Sequence, residues 1–397
     1  MLKRRYDEFG NSDNVFQEEK LYKTAKKSVD LSLDVLVPRW QKALVVENFE
    51  SELSSASNIA VTQHLGEYEI LIKNKFVGLN HVDWKSKRYK FNIYSFPWIN
   101  GRESSGIVVG HGEKVEKTKF PLGAEVFLAS TSYRDLRTST FQEYTVFDSR
   151  LVWRIPQVKL ADGVLARKFD LDFAAGIGVG LVTAGSALSH FINLHHDDCT
   201  PLGNLVIWGG TSSVGIYTIQ LAKASGKFRK VLVIAAKKHN KYLRRLGASH
   251  VIDRHLSEEE ISEELLKICP EGVNRGIDVV SKKTATVLSN ILQKGSKMEK
   301  KLVCVVETPE LTTTNIEVGS KSKLIIEKVT IKKFHEDLEY GQSFVDYTSR
   351  LFEEGYLEPI QALKVFKVMG NFGESIKNGL QELEIKKPSA EKYVASI

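Results

Sequence analysis

Cysteine is scarce in this chain. Three thiols, Cys199, Cys269 and Cys304, are spread over 397 residues. That number and spacing exclude a disulfide framework and the paired cysteines of a structural zinc lobe, and they point to a reducing, cytoplasmic setting. Long apolar runs are missing as well. No stretch approaches the roughly 18 residues of a membrane span, so none is expected. There is no internal repeat and no low-complexity linker. Neither sign of charge dominates: 56 Lys and Arg against 49 Asp and Glu leave a net charge of +7. That excess is mild for the length and does not imply a nucleic-acid partner. With 42% hydrophobic and 26% charged residues, the composition is that of a soluble globular protein, and the length fits two domains.

Residues 1–36 read as an extension. Seven Lys or Arg balance seven Asp or Glu there. Transit peptides are poor in acids and secretory signals need an apolar centre, so neither description fits.

The chain is organised around residues 205–225, LVIWGGTSSVGIYTIQLAKAS. Leu205, Val206, Ile207 and Trp208 form a short apolar run suited to a buried parallel strand. Gly209 and Gly210 break the run, and Thr211, Ser212, Ser213, Val214 and Gly215 lead into a helical pattern. Strand, small-residue turn and helix together aim backbone N–H groups and a helix N-terminus at a phosphate. Residues 231–235 are the next apolar run, completing a βαβ unit. About 20 residues beyond the glycines an NAD site usually carries Asp or Glu for the ribose 2′-hydroxyl. Ala235 and Ala236 stand there instead, followed by Lys237 and Lys238. From Lys223 to Arg245 there are nine Lys or Arg and no acid. Cations in place of a carboxylate suit a 2′-phosphate, so NADP(H) is the expected cofactor.

Short strands separated by glycine turns precede this unit. WQKALVVE at 40–47, EILIKNKFVG at 69–78 and FQEYTVF at 141–147 mark a compact β-rich domain. Near the C-terminus, Phe344, Leu351 and Phe352 mark one amphipathic helix, and Phe372, Ile376, Leu380 and Leu383 another.

Several segments now resemble one family in order and spacing. They are GLNHVD at 78–83, GRESSGIVV at 101–109, FQEY at 141–144, AAGIGVGLVTAG at 174–185, WGGTSSVG at 208–215, LGASHVID at 246–253 and SAEKYV at 389–394. The chain resembles the medium-chain dehydrogenase/reductase superfamily, in its zinc-independent, quinone-oxidoreductase- and enoyl-reductase-like, fungal-type form. The resemblance implies an α/β fold: a GroES-like, β-rich catalytic domain plus a Rossmann domain with a doubly wound parallel sheet. The expected limits are an extension at 1–36, the GroES-like domain at 37–180 and 346–397, and the NADP-binding domain at 181–345. It also implies a homodimer through the Rossmann edge strands.

Zinc-dependent members need three ligands and one open position. Where they carry Cys, His and Cys, this chain has Asn80, Arg102 and Val179. An amide, a guanidinium and an isopropyl group do not make a zinc site, so no metal is expected. The run His195, His196, Asp197, Asp198 and Cys199 holds metal-capable groups but reads as a solvated loop. Without metal, a nicotinamide would carry the chemistry and the protein would steady the developing oxyanion. Asn80 and Arg102 are the candidate donors, Asn80 also reading as a turn residue and Arg102 as a partner of Glu103 or another acid. Thr183 resembles the family threonine near the nicotinamide. The cofactor candidates are Gly209, Gly210, Thr211, Ser212, Ser213, Val214, Gly215, Lys237, Lys238 and Tyr242.

The expected function is hydride transfer from NADPH to an activated carbonyl, enone or quinone, a small-molecule substrate. Residues 84–100 and 129–140 are rich in aromatic and basic side chains and admit a bulky or anionic one. One departure leaves a second reading open. Asp278 is followed by VVSKKTAT, without the family glycine. The alternative is a catalytically weak or silent nucleotide-binding member that acts as a regulatory or partner-binding protein.

Overall fold

The structure is a computed structural model that describes residues 37–130, 135–156, 169–193, 201–295, 299–310, 324–368 and 370–397. The extension at 1–36 and the run at 195–199 lie outside the described residues.

Alternation and glycine punctuation produce the first domain. Its elements are β1 (Trp40–Val46), β2 (Ser54–Ala60), β3 (Glu69–Gly78), α1 (His81–Arg88), β4 (Trp98–Ile99), β5 (Glu103–His111), β6 (Glu125–Ala129), β7 (Tyr144–Asp148) and β8 (Val152–Arg154). β3 has the bounds its alternating pattern implies, and it is the hub: β5 pairs along it, and β7 and β16 (Glu391–Ser396) pair with it too. The mixed sheet runs β15-β16-β3-β5-β6-β8, where β15 is Ala362–Phe366. A smaller sheet has the order β2-β1-β4. β7 starts at Tyr144 rather than Phe141. The residues before it bond elsewhere: Leu44 N donates to Phe141 O and Glu143 N to Lys42 O.

The linking helices are α2 (Leu171–Ala174) and α3 (Gly178–Leu188). The second domain follows as β9 (Asn204–Trp208), α4 (Ser213–Ala224), β10 (Lys230–Ala235), α5 (Asn240–Arg245), β11 (His250–Asp253), α6 (Glu258–Ile268), β12 (Arg275–Asp278), α7 (Lys282–Gly295), β13 (Lys300–Cys304) and β14 (Leu324–Lys328). All six strands are parallel, in the order β11-β10-β9-β12-β13-β14. Counted from β9 that is 3-2-1-4-5-6, the Rossmann order, with its switch point between β9 and β12. β9 is buried along its whole length, as its unbroken apolar run requires. Then come α8 (Lys333–Glu336), α9 (Leu338–Glu353) and α10 (Glu374–Lys386) before β16 closes the first sheet. Ile376, Leu380 and Leu383 form the buried face of α10, as their spacing implies. The expected boundaries at 180/181 and 345/346 fall inside α3 and α9, which span the junction.

One aromatic stack ties the β domain to α8 and α9. The Trp153 ring lies parallel to Phe127 at 5.2 Å and to Phe334 at 5.5 Å. Its indole N–H donates to Thr348 Oγ1 at 2.8 Å. Trp153 is fully buried. Trp153→Ala is expected to destabilise the chain by about 3–5 kcal/mol, from lost apolar contact plus the cavity left behind. Chemical denaturation measures it, and Trp153→Phe is expected to keep most of that stability.

Candidate functional site

The glycine turn leaves β9 with Gly209 at φ +96°, a conformation that favours glycine. A Cβ at Gly215 would stand 2.3 Å from Gly209 O, and one at Gly210 would stand 2.1 Å from Val233 Cγ1. The turn therefore packs directly on α4 and β10. Ser212 caps α4, accepting from Gly215 N at 3.0 Å and donating to Gly209 O at 2.9 Å. Ser213 and Val214 form the first turn of the helix. Thr211 is bound by the returning C-terminal segment: Ala390 N donates to Thr211 O at 2.9 Å, and Ser389 Oγ donates to Thr211 Oγ1 at 3.0 Å. Ser389 Oγ also lies 3.3 Å from His239 Nε2.

Lys237 and Lys238 follow β10 on a short turn and are exposed. Among the described residues neither forms an ion pair with its partners nearby, whereas Arg229 pairs with Glu271 and Arg245 with Glu358. Tyr242 sits differently. It packs against the main core, and burial pushes its hydroxyl up to about 12, with Glu358 and Arg245 alongside. Its polar neighbours therefore belong to the segment around 358–361 and not to the lysine pair.

At the junction Asn80 meets a buried carboxylate, Glu103, which the sequence offered only as a partner for Arg102. Glu103 is fully buried. Its Oε1 takes an ion pair from Lys392 Nζ at 2.6 Å and an N–H from Asn80 Nδ2 at 2.8 Å. Its Oε2 accepts from Val179 N at 2.7 Å. Lys392 is also buried, 4% exposed. Its remaining N–H groups go to Asn80 Oδ1 at 2.9 Å and Leu79 O at 3.0 Å. The Asn80 amide is thereby held in one orientation, oxygen to the ammonium and nitrogen to the carboxylate. Two glycines make the slot. A Cβ at Gly78 would lie 2.4 Å from Glu103 Oε1, and one at Gly176 would lie 2.6 Å from Lys392 Cγ.

Arg102 is buried, and its positive charge acts on Asp83, whose carboxyl accepts from Asn80 N at 2.8 Å. Burial outweighs that attraction and pushes the Asp83 carboxyl up to about 7. Two buried acids thus face two buried bases in one cluster. Thr183, in α3, donates its hydroxyl to Val179 O at 2.6 Å. His81 accepts from Trp84 Nε1 at 3.2 Å, and desolvation of its ring, with Lys85 and Lys392 nearby, lowers its imidazole to about 4. No group of three metal-capable side chains occurs among the described residues. A cavity of about 130 Å³ lies elsewhere in the β domain, lined by Val45, Val61, Leu71, Tyr144 and Val146. It shares no residue with this cluster.

At Asp278, where the glycine is missing, Oδ1 accepts from Val280 N and Ser281 N. The carboxylate thus caps the turn into α7 itself. Val280 stays exposed beside Gly209.

A GroES-like sheet joined to a six-stranded Rossmann sheet, with a glycine turn at the switch point and a polar cluster at the junction, defines a two-domain dehydrogenase. The chain belongs to the medium-chain dehydrogenase/reductase superfamily. Residues 66–157 match the alcohol dehydrogenase GroES-like domain, and residues 213–299 match the domain described as zinc-binding dehydrogenase. The uncharacterized protein YCR102C of Saccharomyces cerevisiae is 28% identical over 382 residues, covering 89% of this chain and 99% of its own. The trans-enoyl reductase himH of Aspergillus japonicus is 34% identical over 190 residues, 47% of this chain and 52% of its own. The solved quinone oxidoreductase of Pseudomonas syringae superimposes with a TM-score of 0.67 at 17% identity, covering 90% of this chain and 100% of its own. No helix among the described residues is long and apolar enough to cross a membrane.

Removing one member of the Glu103–Lys392 pair leaves an uncompensated buried charge. Lys392→Met is expected to cost about 3–5 kcal/mol, read by urea unfolding. Adding Glu103→Gln to it is expected to return part of that loss. Asp83 gives a pH signature. Its carboxyl is raised in the folded state, so its stabilising contribution is complete below the unfolded value near 4 and is lost as pH rises through about 7. Asp83→Asn is expected to gain stability relative to the parent across that window, in thermal melts taken over the pH series.

Proposed function

We propose that the chain is a metal-independent, NADP(H)-dependent oxidoreductase that reduces an activated carbonyl, enone or quinone. The carrying observation is the end of β10: Ala235 and Ala236 where NAD sites usually hold a carboxylate, then the exposed Lys237 and Lys238. The turn fits a dinucleotide pyrophosphate. Gly209 has a positive φ, Gly210 and Gly215 have no room for a side chain, and Thr211, Ser212 and Ser213 are small. When bound, the nicotinamide supplies a hydride equivalent.

The chain's own residues would orient and polarise. Asn80 gives one amide N–H to Glu103 and has a second for a substrate oxygen. Arg102 adds a fixed positive charge beside it, and Thr183 keeps its lone pairs for the amide end of the cofactor. A divalent ion has no place in this reading. The ligand positions hold an amide whose oxygen already binds an ammonium, a guanidinium and an isopropyl group, and the ammonium repels a cation. Zinc at one equivalent per purified chain contradicts this. The names of similar proteins, a trans-enoyl reductase and quinone oxidoreductases, support the substrate class. A cytoplasmic setting fits the free, buried thiols of Cys269 and Cys304. The half-buried edge strand β14 is the edge on which a second copy would form a homodimer.

One observation favours binding without turnover: the turn after Asp278 lacks the glycine that the family resemblance implies, Ser281 standing there, and Val280 is exposed beside Gly209. Titration with NADPH and NADH, followed by fluorescence, tests the cofactor reading. NADPH is expected to bind at least about tenfold tighter, roughly 1.4 kcal/mol. Lys237→Ala with Lys238→Ala is expected to erase that preference and leave NADH affinity within about twofold. Equal affinity for both in the parent contradicts NADP(H) selectivity, and consumption of NADPH with none of a panel of enones, quinones and aldehydes selects the silent alternative.

A further inference from the structure

The two sheets of the β domain do not close completely on each other. Val45 of β1 pairs with Ile99 of β4 in the small sheet, and Leu71 of β3 pairs with Val146 of β7 in the large one. The first pair belongs to one buried apolar cluster. The second joins Val61 and Tyr144 in another. The cavity of about 130 Å³ is lined by residues of both clusters. Val45, Val61 and Val146 are short and β-branched, and the wall they form leaves this space unfilled. An apolar cavity of about 150 Å³ suffices to hold a benzene ring.

The polar groups on the wall say what would enter. Arg137 stands exposed at the rim, beside exposed Pro97 and half-buried Ile59. Its guanidinium is already engaged, with bonds of 2.8–3.1 Å to both carboxylate oxygens of Asp135 and both of Glu69. Two carboxylates around one guanidinium leave the rim net negative, so an anionic ligand gains nothing there. Deeper in, Gln142 donates its amide to the carbonyls of Leu136 and Ser139 at 2.9 and 2.7 Å. Its Oε1 accepts from Gln41 Nε2 at 3.1 Å, and Gln41 Oε1 accepts from Tyr144 N at 2.7 Å. An amide nitrogen carries two N–H groups. Gln41 is only 5% exposed and gives one of them to a described partner. The buried wall therefore offers an uncommitted amide N–H, aliphatic side chains and no free charge.

We propose that this cavity is a binding site for a neutral, single-ring aromatic molecule that carries one acceptor oxygen, of the phenol type. The ring fills the space between the two apolar clusters and gains the contacts that the short side chains forgo. The oxygen accepts the second N–H of Gln41, a donor that is costly to leave unmatched at that depth. The cavity shares no residue with the glycine turn or with the cluster around Glu103, so this site stands apart from the proposed oxidoreductase chemistry.

Fluorine NMR titration of the full chain with 4-fluorophenol, fluorobenzene and 4-fluorobenzoate tests this without cofactor or substrate. The parent is expected to bind 4-fluorophenol with a Kd below about 1 mM. Fluorobenzene, which lacks the acceptor, is expected to bind about fivefold more weakly, and 4-fluorobenzoate at least about tenfold more weakly. Ile59→Phe at the rim and Val61→Leu on the inner wall each take up part of the space, and each is expected to weaken 4-fluorophenol at least about tenfold. Both changes keep an apolar side chain in a strand or at its end, and thermal melts like the parent's establish that the variants fold. A parent that binds neither neutral probe overturns the proposal. Binding that both folded variants leave unchanged places the ligand elsewhere and overturns it too. Benzoate binding as tightly as the phenol overturns the assigned ligand class, and fluorobenzene binding as tightly overturns the part given to Gln41.

Discussion

The buried ion pair between Glu103 and Lys392 is the interaction on which the junction depends. It fastens the last strand to β5 at 2.6 Å. Through Val179 and Asn80 it also fixes the start of α3 and the residue before α1. Such a pair is costly to desolvate and is stable only when the remaining protons and lone pairs are matched. Here they are matched: Lys392 has three acceptors, and both Glu103 oxygens are occupied. The cluster includes Asn80 and Val179, two of the positions that the family resemblance sets against the metal ligands of zinc-dependent members, and Lys392 holds the Asn80 amide oxygen there.

The same short segment reaches the other half of the site. Ser389 and Ala390 hold Thr211 in the glycine turn, and two residues later Lys392 holds Glu103 and Asn80. Ala390 adopts φ +55°, a conformation that costs a non-glycine residue of order 1 kcal/mol. Its N–H bond to Thr211 O is the local return for that strain. Four residues therefore bridge the glycine turn and the polar cluster, and the two domains share one C-terminal fastening.

Much of the fold was legible because it is written in local patterns. The alternation of 69–78 marked β3, the unbroken run at 205–208 marked β9, and the spacing of Ile376, Leu380 and Leu383 marked α10. The site was legible only in pieces. Glu103 and Lys392 lie in segments that carried the family resemblance, yet nothing local says that they meet; the pairing of β16 with β3, Val394 against Gly78, brings them together. Tyr242 shows the converse: near the lysines in sequence, it is drawn to Glu358 by the packing of α5. Charge signs and periodicities travel with the sequence, while side-chain partners wait for the sheets to assemble.

The most direct measurement of the central claim is isotope transfer. NADPH deuterated at the transferable position of the nicotinamide is incubated with the protein and a conjugated enone, and the product is read by mass spectrometry. The account predicts deuterium on the β-carbon of the reduced product, with matching loss of NADPH. Tight NADPH binding with no label transferred to any enone or aldehyde of the panel, and no quinone-dependent loss of NADPH, would contradict it.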